Sequence, residues 1–222
     1  ATGGTITCCG DYKIHKFTGP GTFCVSAISG SCAANNLVSY MVVAGGGGAL
    51  TYASGGGGAG GFRETKSPAT TYTASPLDGY ATPGNRITVT ATGYPIAVGA
   101  AGTAGVHPGA GAGGSGGVST FSTIPSAGGG GGSAETGTGN AGGSGGGGSY
   151  PCQAGGAGNT PPTTPAQGFV GGDGGAAAPN YNNAGGGGAL EAGGNASPGN
   201  NGRGGAGTTT CISGSPTAYA GG

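Results

Sequence analysis

Leu37-Val38-Ser39-Tyr40-Met41-Val42-Val43-Ala44 runs directly into Gly45-Gly46-Gly47-Gly48. The physical state of those glycines decides the fold. Before this stretch the chain reads as ordinary β protein. After it, glycine tracts alternate with short polar or apolar punctuation. Three states compete for such a pattern: a flexible linker, a fibre, and a folded tip.

Composition narrows the choice. Glycine supplies 63 of 222 residues, against a usual share of roughly 7%, and Leu, Ile, Val and Phe are too few to fill an ordinary globular interior. That would suit a disordered spacer, but such segments are normally solubilised by charge and polar side chains. Here only 6 basic and 6 acidic residues are present, with net charge zero. A chain so poor in charge has to satisfy its own peptide groups. Neutrality also leaves no basic patch for phosphate neutralisation, so nucleic acid is not an expected partner. No apolar run of about 18 residues exists, so no membrane span is expected.

Working back from Leu37, Thr5–Thr7 is a short β-prone run. Tyr12–Phe17 alternates imperfectly and ends in Thr18-Gly19-Pro20-Gly21, and Thr22–Val25 follows as a second strand. Residues 12–25 therefore read as a hairpin, with Leu37–Val43 as a third, central strand. Working forward, glycine tracts fall at 45–48, 55–58, 113–117, 128–132, 142–148, 171–175, 185–188 and 202–207. Ile87–Thr90 and Ile96–Val98 are the β-like pieces between them. The expected fold is mostly irregular or all-β, with little or no α-helix. It divides into a small β region (1–43) and a glycine-rich region (44–222) carrying a polar insertion at about 63–94.

Glycine does not recur at every third position, which excludes collagen. Gly171-Gly172-Asp173-Gly174 resembles one turn of a calcium-binding repeat, but no stacked copies accompany it, and no metal or cofactor site is expected. An ordered alternative remains. Polyproline-II geometry has three residues per turn and turns its N–H and C=O groups outward. Segments packed side by side can then bond to one another, provided no Cβ holds the backbones apart.

Five motifs in order carry a resemblance: Gly10–Phe23 (GDYKIHKFTGPGTF), Leu37–Gly48, Gly55–Glu64 (GGGGAGGFRE), Tyr94–Ala100 (YPIAVGA) and Ser119–Gly132 (STFSTIPSAGGGGG). Together they resemble the glycine-rich domain of bacteriophage tail fibres and tail-tip adhesins. That resemblance implies a layered bundle of polyglycine-II helices with loops displayed at one end to touch a host surface. Family members usually run on past a segment like Tyr219–Gly222 into a closing strand rich in Ile and Val. The chain is accordingly expected to be a processed product, a fragment, or a subunit completed by a neighbour.

Candidate residues follow. Cys8, Cys9, Cys24, Cys32, Cys152 and Cys211 fit no zinc spacing and read as disulfide partners of an extracellular protein. Cys24 with Cys32, and Cys152 with Cys211, are plausible staples. His15 and His107 are far apart, and His15 is expected to be structural. Arg63 and Glu64 read as a polar anchor where the chain leaves a glycine layer. Tyr52, Phe62, Phe121, Phe169 and Tyr181 are expected to pack on layer edges. Recognition is expected in the punctuation, Lys66–Arg86, Asn159–Gln167 and Asn195–Asn201. There Tyr72, Asp78, Tyr80 and Asn85 form an aromatic-plus-polar set suited to stacking on sugars. Asn195-Ala196-Ser197 is a glycosylation sequon, weakened by Pro198.

No glycine run is followed by Gly-Lys-Ser/Thr, and no nucleophile–base arrangement stands out, so no catalysis is expected. The expected function is a non-enzymatic virion or extracellular structural protein. Within that class the leading expectation is a phage tail fibre or tip component that self-associates and touches a cell-surface glycan or receptor. The alternatives are the disulfide-stabilised protomer of a secreted filament, motivated by the cysteines, and a flexible spacer.

Overall fold

Gly10 sits at φ +57°, in the left-handed region that side chains resist. With Asp11 it forms the two-residue turn that closes β1 (Thr5–Cys9) on β2 (Tyr12–Lys16). The structure is a computed structural model describing residues 1–51, 53–106, 111–176 and 181–222. The hairpin expected over 12–25 is not formed. β2 pairs back onto β1, in register Cys9↔Tyr12 to Thr5↔Lys16. β3 (Gly21–Cys24) pairs instead with residues 93–96. The physical reason is twofold: the Gly-Asp turn offers the nearer, tighter closure, and Phe23 belongs to an aromatic cluster that a local hairpin could not reach.

The remaining strands are β4 (Tyr40–Val43), β5 (Phe62–Thr65), β6 (Gly93–Ala97), β7 (Ser119–Phe121), β8 (Ile124–Ser126), β9 (Thr208–Thr210) and β10 (Thr217–Tyr219). They form small antiparallel sheets in the orders β3-β6-β7-β8, β4-β5 and β9-β10. No α-helix occurs among the described residues; three short 3-10 turns cover Ala33–Asn36, Gly79–Ala81 and Pro83–Asn85. No helix among the described residues is long and apolar enough to cross a membrane.

Val25, Tyr40, Val42, Ile87, Val89, Phe121 and Ile124 form the hydrophobic core, with Phe23, Val38, Tyr94 and Ile96 packed against it. Phe121 stands edge-on to Tyr40 at 5.5 Å and to Phe23 at 6.1 Å between ring centroids. Such pairs add about 0.5–1.5 kcal/mol each beyond their buried area. Ile87 and Val89 bury themselves without joining a strand: Val38 donates to the Ile87 carbonyl and Val89 to that of Asn36, at 3.1 and 2.7 Å. The core thus draws on residues from Phe23 to Ile124, well beyond position 43. Its strands are spliced to the glycine tracts: β4 runs into 45–48, 55–61 into β5, 113–117 into β7, and 202–207 into β9.

The tracts themselves lie outside the sheets, and their hydrogen bonds step in threes. Gly45 and Gly48 donate to the carbonyls of Gly117 and Gly114 at 3.1 and 2.9 Å. Ala44 and Gly47 donate to Gly61 and Gly58 at 3.1 and 2.9 Å. The carbonyls of Gly45 and Gly48 accept from Gly129 and Gly132, both at 2.9 Å, while those of Gly46 and Ala49 accept from Gly102 and Gly105. A β-strand alternates between two neighbours with a period of two; this tract serves four, and residues three apart face the same one. The step recurs where Gly56 and Ala59 donate to Ala184 and Gly187, and where Gly145 and Gly148 donate to Phe169 and Gly172.

Backbone packs on backbone here. A Cβ on Gly130 would stand 1.8 Å from the Asn140 carbonyl oxygen, and one on Gly128 equally close to that of Gly116. Several positions in or beside the tracts that are not glycine are small and wholly buried, as with Ser133, Ser144, Ser149 and Ala189. Ordering glycine costs more backbone entropy than ordering any other residue, and the lateral hydrogen bonds, worth about 0.5–1.5 kcal/mol net each, are what offset it.

Candidate functional site

Successive side chains of a strand point to opposite faces, and β5 uses this to separate its two charges. Glu64, 2% exposed, turns inward: its carboxylate accepts from the Ser75 amide at 2.9 Å and the Thr210 hydroxyl at 2.6 Å. It thereby ties the 66–86 loop to β9. Arg63 turns the other way, half-buried. Its Nη2 donates to Asn85 Oδ1 and its Nη1 to the Pro125 carbonyl at 3.3 Å. Burial holds its pKa below the ordinary arginine value. Both residues thus anchor the exit from a glycine tract, as their position implied.

Asn85, 6% exposed, joins four pieces of chain. Besides accepting from Arg63, its Nδ2 donates to the carbonyls of Thr164 at 2.7 Å and Gly79 at 3.2 Å. Its own carbonyl accepts from the Tyr40 hydroxyl at 2.5 Å. Across from it, Asn159 Oδ1 accepts from the amides of Thr163 and Gln167 at 2.9 and 3.2 Å. Gln167 Nε2 donates to the Pro161 carbonyl at 2.7 Å, and its Oε1 accepts from the Ala127 amide at 2.8 Å. Between these two braced loops lies an open groove of about 380 Å³, lined by Arg63, Thr82, Gly84, Asn85 and Pro162–Thr164.

Two of the three stretches expected to carry recognition, Lys66–Arg86 and Asn159–Gln167, therefore meet. The third lies apart, where Asn195 Oδ1 accepts from the Asp173 amide at 2.8 Å and Asn182 Nδ2 donates to the Ser197 carbonyl at 2.5 Å. Asn195 itself is exposed. Of the sugar-stacking set, only Asn85 lines the groove. Asp78 Oδ1 accepts from the amides of Lys66 and Tyr80 at 2.9 and 3.0 Å, capping the turn at Gly79–Ala81. Arg86 lies 4.3 Å over the Tyr80 ring and Lys66 5.8 Å over that of Tyr72. The set builds the loop from within; it does not present a bare aromatic platform.

Tyr72 shows this best. Its hydroxyl is buried next to Glu64 and Ser39 without a well-formed hydrogen bond to either, and burial, reinforced by the Glu64 carboxylate, pushes its pKa above the ordinary tyrosine value. Burial raises Tyr40 as well. A tyrosine raised in the folded chain keeps its proton after the unfolded chain has lost it at about pH 10. The resulting stability is complete below about pH 10 and declines as pH rises through the folded-state values. The urea midpoint is expected to fall steadily above pH 10, and less steeply in Tyr72→Phe, which should match the parent at neutral pH. Identical slopes in the two proteins would remove Tyr72 from this account.

The other candidate residues are structural or stand alone. His15 Nδ1 donates to the Gly3 carbonyl at 2.8 Å, and the ring meets Phe23 edge-on at 5.0 Å. The six cysteines are free thiols, five exposed and Cys211 partly so; neither expected staple is formed. Cys152 bonds to Gly175 beyond one end of the tracts, whereas Cys211 follows β9 at the other. Asp173 Oδ1 accepts from the Gly155 amide at 3.0 Å. No group of three or more His, Cys, Asp or Glu placed to hold a metal occurs among the described residues. Of the layer-edge aromatics, Phe62 and Phe121 are buried, while Phe169 and Tyr181 are 39% and 52% exposed; Tyr181 meets Tyr150 edge-on at 4.9 Å. Tyr52 and His107 lie outside the described residues. The Arg203–Glu191 ion pair is exposed and worth little.

These features are those of a glycine-rich domain. The family model of that description matches residues 18–222, and the chain belongs to this family. No curated protein and no solved structure matches it.

Proposed function

We propose that this is a non-enzymatic structural protein of a virion or extracellular appendage, a tail-fibre or tip component used in host attachment. In this reading the tracts are polyglycine-II helices bundled into a stiff body. The observation that carries it is the step of three in the hydrogen bonds between tracts. A helix of three residues per turn presents every third residue to the same neighbour, as Gly45 and Gly48 do to Gly117 and Gly114. Such a body needs no large apolar core, which suits a chain so poor in large aliphatic residues. It also leaves the punctuation free to form loops such as those around the Arg63 groove. The filament reading is favoured by the five exposed thiols, which could cross-link copies of the chain.

Hydrogen exchange addresses the ordered body. The amides of Gly47, Gly58 and Gly130 are expected to exchange orders of magnitude more slowly than free peptide amides, since their opening is tied to global unfolding. Uniformly fast exchange across the tracts would return the chain to a spacer. Electron microscopy of the native assembly addresses the setting: the chain is expected on tailed particles, and endless fibres of this chain alone would sink the virion reading.

A further inference from the structure

We infer that the groove between the 82–85 and 162–164 segments binds a carboxylate-bearing sugar, with the Arg63 guanidinium as the charge that selects it. This rests on the host-attachment reading for its biological setting, while the binding chemistry is argued from the groove alone.

A guanidinium carries five N–H donors. Arg63 spends two of them, both on neutral acceptors, Asn85 Oδ1 and the Pro125 carbonyl. Its strand neighbour Glu64 points to the opposite face, occupied by Ser75 and Thr210. Asp78 is engaged by the amides of Lys66 and Tyr80. A half-buried cation facing a groove with no carboxylate of its own is poised for one from outside, and guanidinium–carboxylate pairs are among the stronger charge-assisted hydrogen bonds.

The rest of the lining suits a polyhydroxylated ring. Thr82 and Thr164 supply hydroxyls that donate or accept, while the Thr163 hydroxyl is turned into its own loop, donating to Asn159 Oδ1 and the Pro165 carbonyl at 3.0 and 2.8 Å, and Pro162 offers a flat apolar surface. Gly84 leaves open space, with nothing within 4 Å of where its Cβ would be. The groove is open, at about 380 Å³, and so takes one face of a single sugar residue, leaving the other face in water. Its walls are held before any ligand arrives, because Asn85 bonds to Arg63, Thr164 and Gly79 at once. That removes part of the ordering cost of binding.

The test is a titration of the full chain, followed by NMR, with D-galacturonic acid, N-acetylneuraminic acid, D-galactose and acetate. Both acidic sugars are expected to bind at least tenfold tighter than galactose and than acetate, more weakly as salt is added. Arg63→Gln should erase the preference for acid over neutral sugar. Gly84→Leu, which fills the groove while leaving the bonds of Arg63 in place, should abolish binding with an unchanged melting temperature and keeps the claim testable if the arginine variant folds poorly. Equal binding of galactose and galacturonic acid would overturn the role of Arg63. Acetate binding as tightly as the acidic sugars would overturn the sugar. Undiminished binding in Gly84→Leu would overturn the groove. None of these outcomes bears on where the assembly is found, which the imaging decides separately.

Discussion

Gly130→Ala is expected to lower the melting temperature by about 8 °C or more, or to abolish cooperative unfolding, through the addition of one methyl group. The new carbon would stand 1.8 Å from the Asn140 carbonyl oxygen, 2.6 Å from its carbon and 3.0 Å from the Gly146 nitrogen. All three are backbone atoms of neighbouring tracts, so no side chain can rotate away, and the tract itself must move. Gly130 donates to Ser144 and accepts from Gly58, both at 2.8 Å, and displacement stretches both bonds. Overpacking alone costs about 1–3 kcal/mol, and each buried group left unpaired about 1–3 more. The total, about 4 kcal/mol or above, is a large part of the usual stability of roughly 5–15 kcal/mol. At about 2–4 °C per kcal/mol for a chain of this size, the shift is easily read by calorimetry. Gly19→Ala is the control: nothing lies within 4 Å of its Cβ position, so its melting point should stay within about 2 °C of the parent. A Gly130→Ala protein that melts with the control would mean that the tracts are not packed backbone to backbone.

That contrast also marks what the sequence could and could not disclose. The junction at Leu37–Gly48 was legible because both halves obey local rules. Tyr40 and Val42 alternate inward along β4, and the glycines that follow can pack only where side chains are missing. The partner of β4 was not legible. Phe62–Thr65 pairs with it in register Val43↔Phe62 to Tyr40↔Thr65, yet Phe-Arg-Glu-Thr alone reads equally well as the start of a polar loop. Likewise Thr208–Thr210 shows no alternation, and becomes β9 because Thr217–Tyr219 returns beside it and Glu64 receives its hydroxyl. The site divides the same way. Its two loops were visible as departures from glycine, and Arg63 and Glu64 as charges in a chain almost without them. That Asn85 would face Thr164 depended on a pairing made over 79 residues, which leaves no trace in local composition. The cover on Tyr72 and Tyr80 was hidden for the same reason, since Lys66 and Arg86 come over their rings only after folding.

Gln167→Ala should be nearly as damaging as a cavity in the aromatic core, although the residue carries no charge and sits in a loop. It is 1% exposed and bridges two segments distant in sequence, holding the Ala127 amide with its oxygen and the Pro161 carbonyl with its nitrogen. Truncation leaves that amide and that carbonyl without partners, at about 1–3 kcal/mol each, and opens a void beside Gly61, whose Cβ position lies 2.5 Å from Gln167 Oε1. A loss of about 3–5 kcal/mol follows when a cavity term is added to the lost bonds. Gln167→Met separates the two contributions: it refills most of the volume, and so should recover the cavity part while leaving both backbone groups unpaired. The expected order of urea midpoints is parent, then Met, then Ala. The bond from residue 167 to Asn159 Oδ1 is made by its backbone amide and survives both substitutions, so hydrogen exchange should accelerate at Ala127, whose amide loses its acceptor, and stay near the parent rate at Thr163. A methionine variant as stable as the parent would show that packing, and not the paired backbone groups, makes this residue matter. An alanine variant as stable as the parent would show that the side-chain bonds of Gln167 add nothing to those made by Asn85, Asn159 and the loop backbone.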